Sequence, residues 1–337
     1  MTLGPEQRAR LLRTKLAALV RDAGGPGGEP VDLGASAAVV AQGCASVLIE
    51  RGSASGLGGA LLWGSRQHAD ELTLFVDDAA AADVARWAGY FELGGRPVVV
   101  RQVQGATSHP VEPAPLPTPV PAPQVPSELL EQLRGAGVDV VVEQGSVRGE
   151  VLGLEVARLV RWPAEVGGDG ALHLEAGVGR FDRDAVAAAR PDEAPVDSLA
   201  RTLEQVRAHR YPGAPVHAVQ LLVRERWLRS MVVAEPALVG AASLRAADMT
   251  TEQMGLKDVH PAAAAGTDPD GGPVVVVCSA GVDLALVPLA ADTRALHDPA
   301  ARLVLALPAR DHHAATVSLM GLLRSPAELV DLTPGWG

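Results

Sequence analysis

Lysine is nearly missing from this chain: of 29 basic residues only Lys15 and Lys257 are lysines, and the rest are arginines. A Walker-type loop needs its lysine against the phosphates, and no Gly-Lys-Ser or Gly-Lys-Thr occurs. Neither lysine sits in the apolar, pocket-like context that Schiff-base chemistry requires. Aromatic residues make up only 3% of a chain that is 47% hydrophobic, so its cores must be aliphatic and built from small side chains. Two cysteines, Cys44 and Cys278, lie far apart inside apolar stretches, where a thiol behaves as a small hydrophobe. With no CxxC pair and no HExxH, a structural zinc or zincin site is excluded, and the histidines show no metal-ligand spacing. No apolar run reaches the ~18 residues of a membrane span, and Met1 to Asp22 is charged and amphipathic rather than a leader. The cytoplasm is therefore the expected location, with no membrane partner. A net charge of -11 argues against a general electrostatic grip on nucleic acid or anionic lipid.

What is present is α/β grammar in several segments, as 337 residues exceed one ordinary core. Leu11, Leu12, Leu16, Leu19 and Val20 fall at helical spacing, which predicts a helix over Pro5 to Ala23. From Ala35 to Val103 the pattern reads strand (46–49), helix (57–68), strand (71–76), helix (79–91), strand (97–103). That is a βαβαβ order, the mark of a sheet with crossover helices. From His109 to Pro126 eight of eighteen residues are proline, which predicts an extended, semi-rigid linker. A short helix (128–133) follows, then an apolar run over Val138 to Val142, and strands over Val147 to Arg161 and Ala171 to Val178. The Gly167-Gly168-Asp169-Gly170 turn joins the last two as a hairpin. Helices are predicted over 184–189 and 198–209, the second capped by Asp197 or Ser198. Val216 to Val233 reads equally as strand or helix. The end of the chain repeats the first grammar: strand (273–278), helix (282–297), strand (302–307), helix (312–323), strand (328–332). An internal duplication would explain this, as would the general likeness of α/β segments. The expected division is 1–108, linker 109–127, a middle α+β segment 128–255 and a C-terminal module 256–337.

Gly52 to Gly59 follows a strand and opens a helix, where amides could meet an anion; a plain strand-to-helix connection has the same look. The carboxylates of the middle segment offer more. Glu143 ends an apolar strand, Glu150 and Glu155 flank Val151 to Leu154, and Glu175 lies on the next strand. If those strands pair across the Gly turn, Glu155 and Glu175 share a face and could hold Mg²⁺, with Glu143 as a further catalytic candidate. The competing reading puts these glutamates on the solvent face of alternating strands.

Glu155, nineteen intervening residues, then Glu175 on a second strand followed by helices resembles the core of the PD-(D/E)XK, or restriction-endonuclease-like, nuclease superfamily. The run from Gly266 to Gly271, strand Val274 to Cys278, helix and strand Leu303 to Pro308 is similar in order. The resemblance implies a nuclease-like fold with Mg²⁺ on Glu155 and Glu175. The lysine of that motif is replaced by Gly177, and Val277 to Gly281 in the C-terminal run has neither acid nor lysine. The implied site is thus degenerate unless Arg158 or Arg180 substitutes, and an arginine can only stabilise charge.

Between Leu199 and Ser230 six arginines face two glutamates. Arg224, Arg226 and Arg229, with Trp227 among them, form a candidate nucleic-acid patch; a solvated helix face is the plainer alternative. Two functions follow. One is a non-catalytic scaffold or regulatory protein without a cofactor, holding a protein partner through the linker or an open sheet edge. The other is a Mg²⁺-dependent, nuclease-like phosphodiester enzyme or nucleic-acid-associated protein.

Overall fold

A computed structural model describes residues 4–164, 168–190, 192–253 and 255–336. The fold is mixed α/β. The chain divides into two compact units. One takes the described residues up to Leu116 with Val282–Pro299 and His312–Ala327; the other takes Pro117–Gly281, Ala300–Asp311 and Glu328 onward. The first boundary falls inside the Pro-rich stretch.

The elements run α1 (Pro5–Asp22), β1 (Val31–Leu33), β2 (Ser36–Ala41), β3 (Cys44–Ile49), α2 (Ala54–Arg66), β4 (Glu71–Val76), α3 (Ala81–Ala88), β5 (Glu92–Leu93), β6 (Arg96–Pro97), β7 (Val99–Gln104) and β8 (Thr107–Pro110). Next come α4 (Ser127–Gly135), β9 (Asp139–Glu143), β10 (Ser146–Val151), β11 (Leu154–Arg161), β12 (Leu172–Ala176), α5 (Gly179–Ala189), α6 (Pro195–Arg207) and α7 (Arg224–Ala234). The chain closes with β13 (Ser243–Ala247), β14 (Ala262–Thr267), β15 (Pro273–Cys278), α8 (Leu286–His297), β16 (Arg302–Pro308), α9 (Ala314–Met320) and β17 (Ala327–Leu332).

In the first unit six strands are ordered β1-β2-β3-β4-β7-β8, with β3, β4 and β7 parallel, as the βαβαβ reading requires. Leu12, Leu16, Leu19 and Val20 of α1 pack on Ala37, Val39, Leu48, Phe75 and Val103. Burying each such leucine stabilises by roughly 1.5–3 kcal/mol. The crossover helices α2 and α3 meet α8 and α9 in the same unit. Gly58 is the point of closest approach, since a Cβ there would run into the Leu284 carbonyl. The glycines of 52–59 thus serve packing, and Ser53 caps α2 by accepting from the Gly56 amide. Asp292 of α8 is fully buried and accepts from Arg86 Nε (3.0 Å), Trp87 Nε1 (2.9 Å) and the Tyr90 hydroxyl (2.9 Å).

The second unit holds an antiparallel sheet ordered β12-β11-β10-β9 and a five-stranded sheet ordered β13-β14-β15-β16-β17. The predicted single strand over Val147 to Arg161 is two, β10 and β11, folded at Leu152-Gly153. Both residues have positive φ (47° and 77°), the signature of a two-residue type I′ hairpin. The predicted hairpin of β11 with β12 is present; Gly167 of its turn lies outside the described residues. Helix α6 starts at Pro195 behind Ala194, and neither Asp197 nor Ser198 caps it, because proline at the first position supplies the helical φ without an amide to satisfy. The undecided stretch 216–233 is a 3₁₀ turn, Ala218–Leu221, followed by α7. The order helix, three strands, helix, strand, helix, strand recurs from α1 to β7, apart from the short β5–β6 ribbon, and from α7 to β17.

Candidate functional site: a buried arginine–glutamate cluster beside a cavity

The site grows from the hairpins of the four-stranded sheet. Gln144-Gly145 (φ 50° and 67°) turns β9 into β10, and Leu152-Gly153 turns β10 into β11. The pairing of β10 with β11 slips between Gly149 and Glu150, so Gly149 faces Ala157 while Glu150 faces Glu155, leaving Val156 as the extra residue of a bulge. In a regular strand residues three apart point to opposite faces. The bulge cancels that rule, and Arg158 forms a two-pronged pair with Glu155, Nε to Oε1 at 3.1 Å and Nη2 to Oε2 at 2.7 Å. Across the strands Arg148 faces Arg158 and Glu150 faces Glu155, like charges that need neighbours of opposite sign.

Helix α7 and residue Arg183 of α5 supply the remaining guanidiniums. Gly153 lets the hairpin turn lie against the backbone of Arg226, where a Cβ would collide. Arg226 and Arg229, three apart and so on one helix face, reach the same two glutamates. Arg229 donates to Glu143 Oε1 (3.0 Å) and Glu150 Oε2 (2.7 Å), and Arg226 lies 3.2 Å from Glu143 and 3.7 Å from Glu150. Arg148 donates to Glu143 Oε2 at 2.8 Å, and Arg183 donates to Glu155. Apart from the half-buried Arg158, the cluster is interior: Glu143, Glu150 and Glu155 are 6%, 1% and 3% exposed, and Arg226 and Arg229 are 9% and 1%.

Burial alone would raise the carboxyl pKa values, yet Glu143 and Glu155 are held below the ordinary carboxylate range. Arg229, Arg226 and Arg148 overcome the desolvation at Glu143. At Glu155 the bond and charge of Arg158, then Arg183 and Arg148, do the same. Arg148 moves the other way for an arginine in a salt bridge: desolvation and the repulsion of Arg226 lower its pKa despite Glu143 and Glu155. Arg229 is held charged, because Glu150 and Glu143 outweigh its desolvation.

The expected site residues therefore meet different fates. The position foreseen for Mg²⁺ is taken by a guanidinium: Arg183 donates to Glu155, and its Nε lies 3.8 Å from Glu175 Oε2. Glu155 already spends its oxygens on Arg158 and Arg183, with Arg148 3.5 Å away, so the set does not fit a divalent cation. Glu175 is half-buried and accepts from the Trp162 indole at 2.9 Å. Among the described residues no group of three or more His, Cys, Asp or Glu is arranged to hold a metal. The solvent-face alternative fails for Glu143, Glu150 and Glu155, which are all buried. The nucleic-acid patch is corrected too: Arg226 and Arg229 point inward to Glu143 and Glu150, and only Arg224 of the three is partly exposed. Their charge is neutralised by glutamates some eighty residues earlier, which local counting of charges leaves out.

Beside the cluster lies a cavity of about 290 Å³ lined by Arg148, Arg158, Arg226, Ser146, Thr251 and His260 among others. Its far wall is the loop between β13 and β14. That loop is tied down by the Gln144 amide on Asp248 (2.7 Å), by the Gln144 side chain on the Met249 carbonyl (2.7 Å) and by Thr251 with His260 (2.9 Å). Sequence reasoning missed Arg148, Arg183 and this loop. A signal existed at Arg148, which stands two residues before Glu150 in the strand Ser146–Val151, so that strand alternation puts two opposite charges on one face. No helix among the described residues is long and apolar enough to cross a membrane. No family model, curated protein or solved structure matches the chain.

Proposed function

We propose that this is a non-catalytic regulatory or scaffold protein that acts by holding a partner. The observation that carries this reading is the state of Glu143, Glu150 and Glu155, the carboxylates best placed for chemistry, each of which is buried against guanidiniums. A general acid must keep its proton near the working pH, and the arginines around Glu143 and Glu155 drive that proton off. A metal ligand must offer oxygen lone pairs, and those of Glu155 are already taken by Arg158 and Arg183. Surfaces for a partner are of two kinds. The exposed, proline-rich segment 111–126 has no helix or strand, and the sheets end on strands such as β8, β12 and β17 whose outer edges are unpaired within their sheets.

The test is calorimetric titration of Mg²⁺ and Mn²⁺ into the protein and into a Glu155→Gln, Glu175→Gln variant. No binding heat is expected from either. A metal isotherm in the wild type that the double variant loses would overturn the reading in favour of the degenerate nuclease-like enzyme.

A further inference from the structure

We propose that the cavity beside the arginine–glutamate cluster is a binding site for a small, doubly charged oxyanion, held by Arg148, Arg158 and Arg226. Charge is the first argument. Arg148, Arg183, Arg226, Arg229 and the half-buried Arg158 stand among Glu143, Glu150 and Glu155, with the half-buried Glu175 reaching Arg183 at 3.8 Å, so five guanidiniums of the cluster meet four carboxylates. Glu143 also lines the cavity, but its oxygens face Arg148, Arg226 and Arg229, and Glu252 stands on the exposed rim. An interior with surplus cations costs free energy until an anion compensates it.

Hydrogen bonding points the same way. Arg148 is 7% exposed, and its Nε, sealed from the cavity, lies 3.5 Å from the nearest carboxylate oxygen, on Glu155, so the Arg148 charge is only partly compensated within the cluster. Arg226 reaches Glu150 only at 3.7 Å, beyond hydrogen-bond range. Arg148 and Arg158 stand directly across the strand pair, so one anion between them would relieve the repulsion that helps lower the Arg148 pKa. Guanidiniums match the oxygens of phosphate or carboxylate in pairs, and the Ser146 and Thr251 side chains at the wall add hydroxyls. A volume of about 290 Å³ lies at the small end of ligand pockets, which suits a compact metabolite rather than a polymer. This inference goes beyond the proposed function and does not depend on it: a metal titration tests one, and an anion titration the other.

The experiment is calorimetry on the full chain at mildly alkaline pH with inorganic phosphate in one arm and succinate in the other. Arg158→Gln and Arg148→Lys are run alongside the wild type. Binding of either dianion is expected, the arm that binds naming the phosphoryl or dicarboxylate source, with affinity lower by about tenfold or more in each variant. Arg158→Gln leaves Glu155 bonded to Arg183, so it decides alone should Arg148→Lys not fold. No heat from either dianion, or unchanged affinity in Arg158→Gln, overturns the proposal.

Discussion

Removing the Arg229 side chain tests whether the cluster is the electrostatic centre of the second unit. Arg229→Met keeps an apolar stem of similar reach but withdraws the hydrogen bonds at 3.0 Å to Glu143 and 2.7 Å to Glu150. Glu143 retains Arg148 and Arg226, whereas Glu150, 1% exposed, is left with Arg226 at 3.7 Å. Breaking a buried pair from one side costs about 3–5 kcal/mol, because the stranded charge stays desolvated. The transition to follow in urea is the one that carries Trp227, which is fully buried and lies 5.1 Å from Trp336 in the same core. Adding Glu150→Gln removes the stranded charge, so the double variant should regain about 1–3 kcal/mol relative to additivity. A cost for Arg229→Met below about 1 kcal/mol, or purely additive behaviour, would refute the argument.

Gly58→Ala should destabilise the first unit in thermal melts despite the better helix propensity of alanine, because the new Cβ strikes the Leu284 carbonyl; a gain in melting temperature would contradict that packing. Burial pushes the Cys278 thiol up to about 12, so a thiol reagent near neutral pH should label Cys44 in the native protein and Cys278 only after denaturation. Glu143 and Glu155 titrate lower when folded than when unfolded, so their stabilisation is full above about 4.3 and drains away as pH falls through the folded values. Urea midpoints of Glu155→Gln should accordingly be lower than those of the wild type at neutral pH and less sensitive to acid; an unchanged acid slope would count against the ion pairs at Glu155.

Interior strands were the most legible part of the chain. Glu71–Val76 and Pro273–Cys278 can be read to the residue, because both are central strands, paired on either side, and so are short, largely apolar runs. Strands β1 and β2 are hard to read: β1 is only three residues long, β2 is alanine-rich, and the turn after β2 is Gln42-Gly43, whose positive φ values (50° and 77°) mark the same hairpin type as Gln144-Gly145. Leu152-Gly153 hid for a related reason, since leucine seldom takes positive φ and the flanks are apolar on both sides. The site was half legible. Glu143, Glu150 and Glu155 stood out as carboxylates in apolar strands, but their partners Arg183, Arg226 and Arg229 are distant in sequence. The bulge at Val156, which puts Glu155 and Arg158 on one face, depends on pairing geometry rather than on local pattern.

The membership of α8 and α9 in the first unit sets an order of events during synthesis. Domains tend to fold as they leave the ribosome, N-terminal first. Here a nascent chain can pair β1 through β8 early, yet the faces of α2 and α3 that meet α8 and α9 stay uncovered until residues 282–327 emerge. The second unit also waits, for β16 and β17. Residues 282–332 therefore close both cores at nearly the same moment, so the two units mature together although one began far earlier.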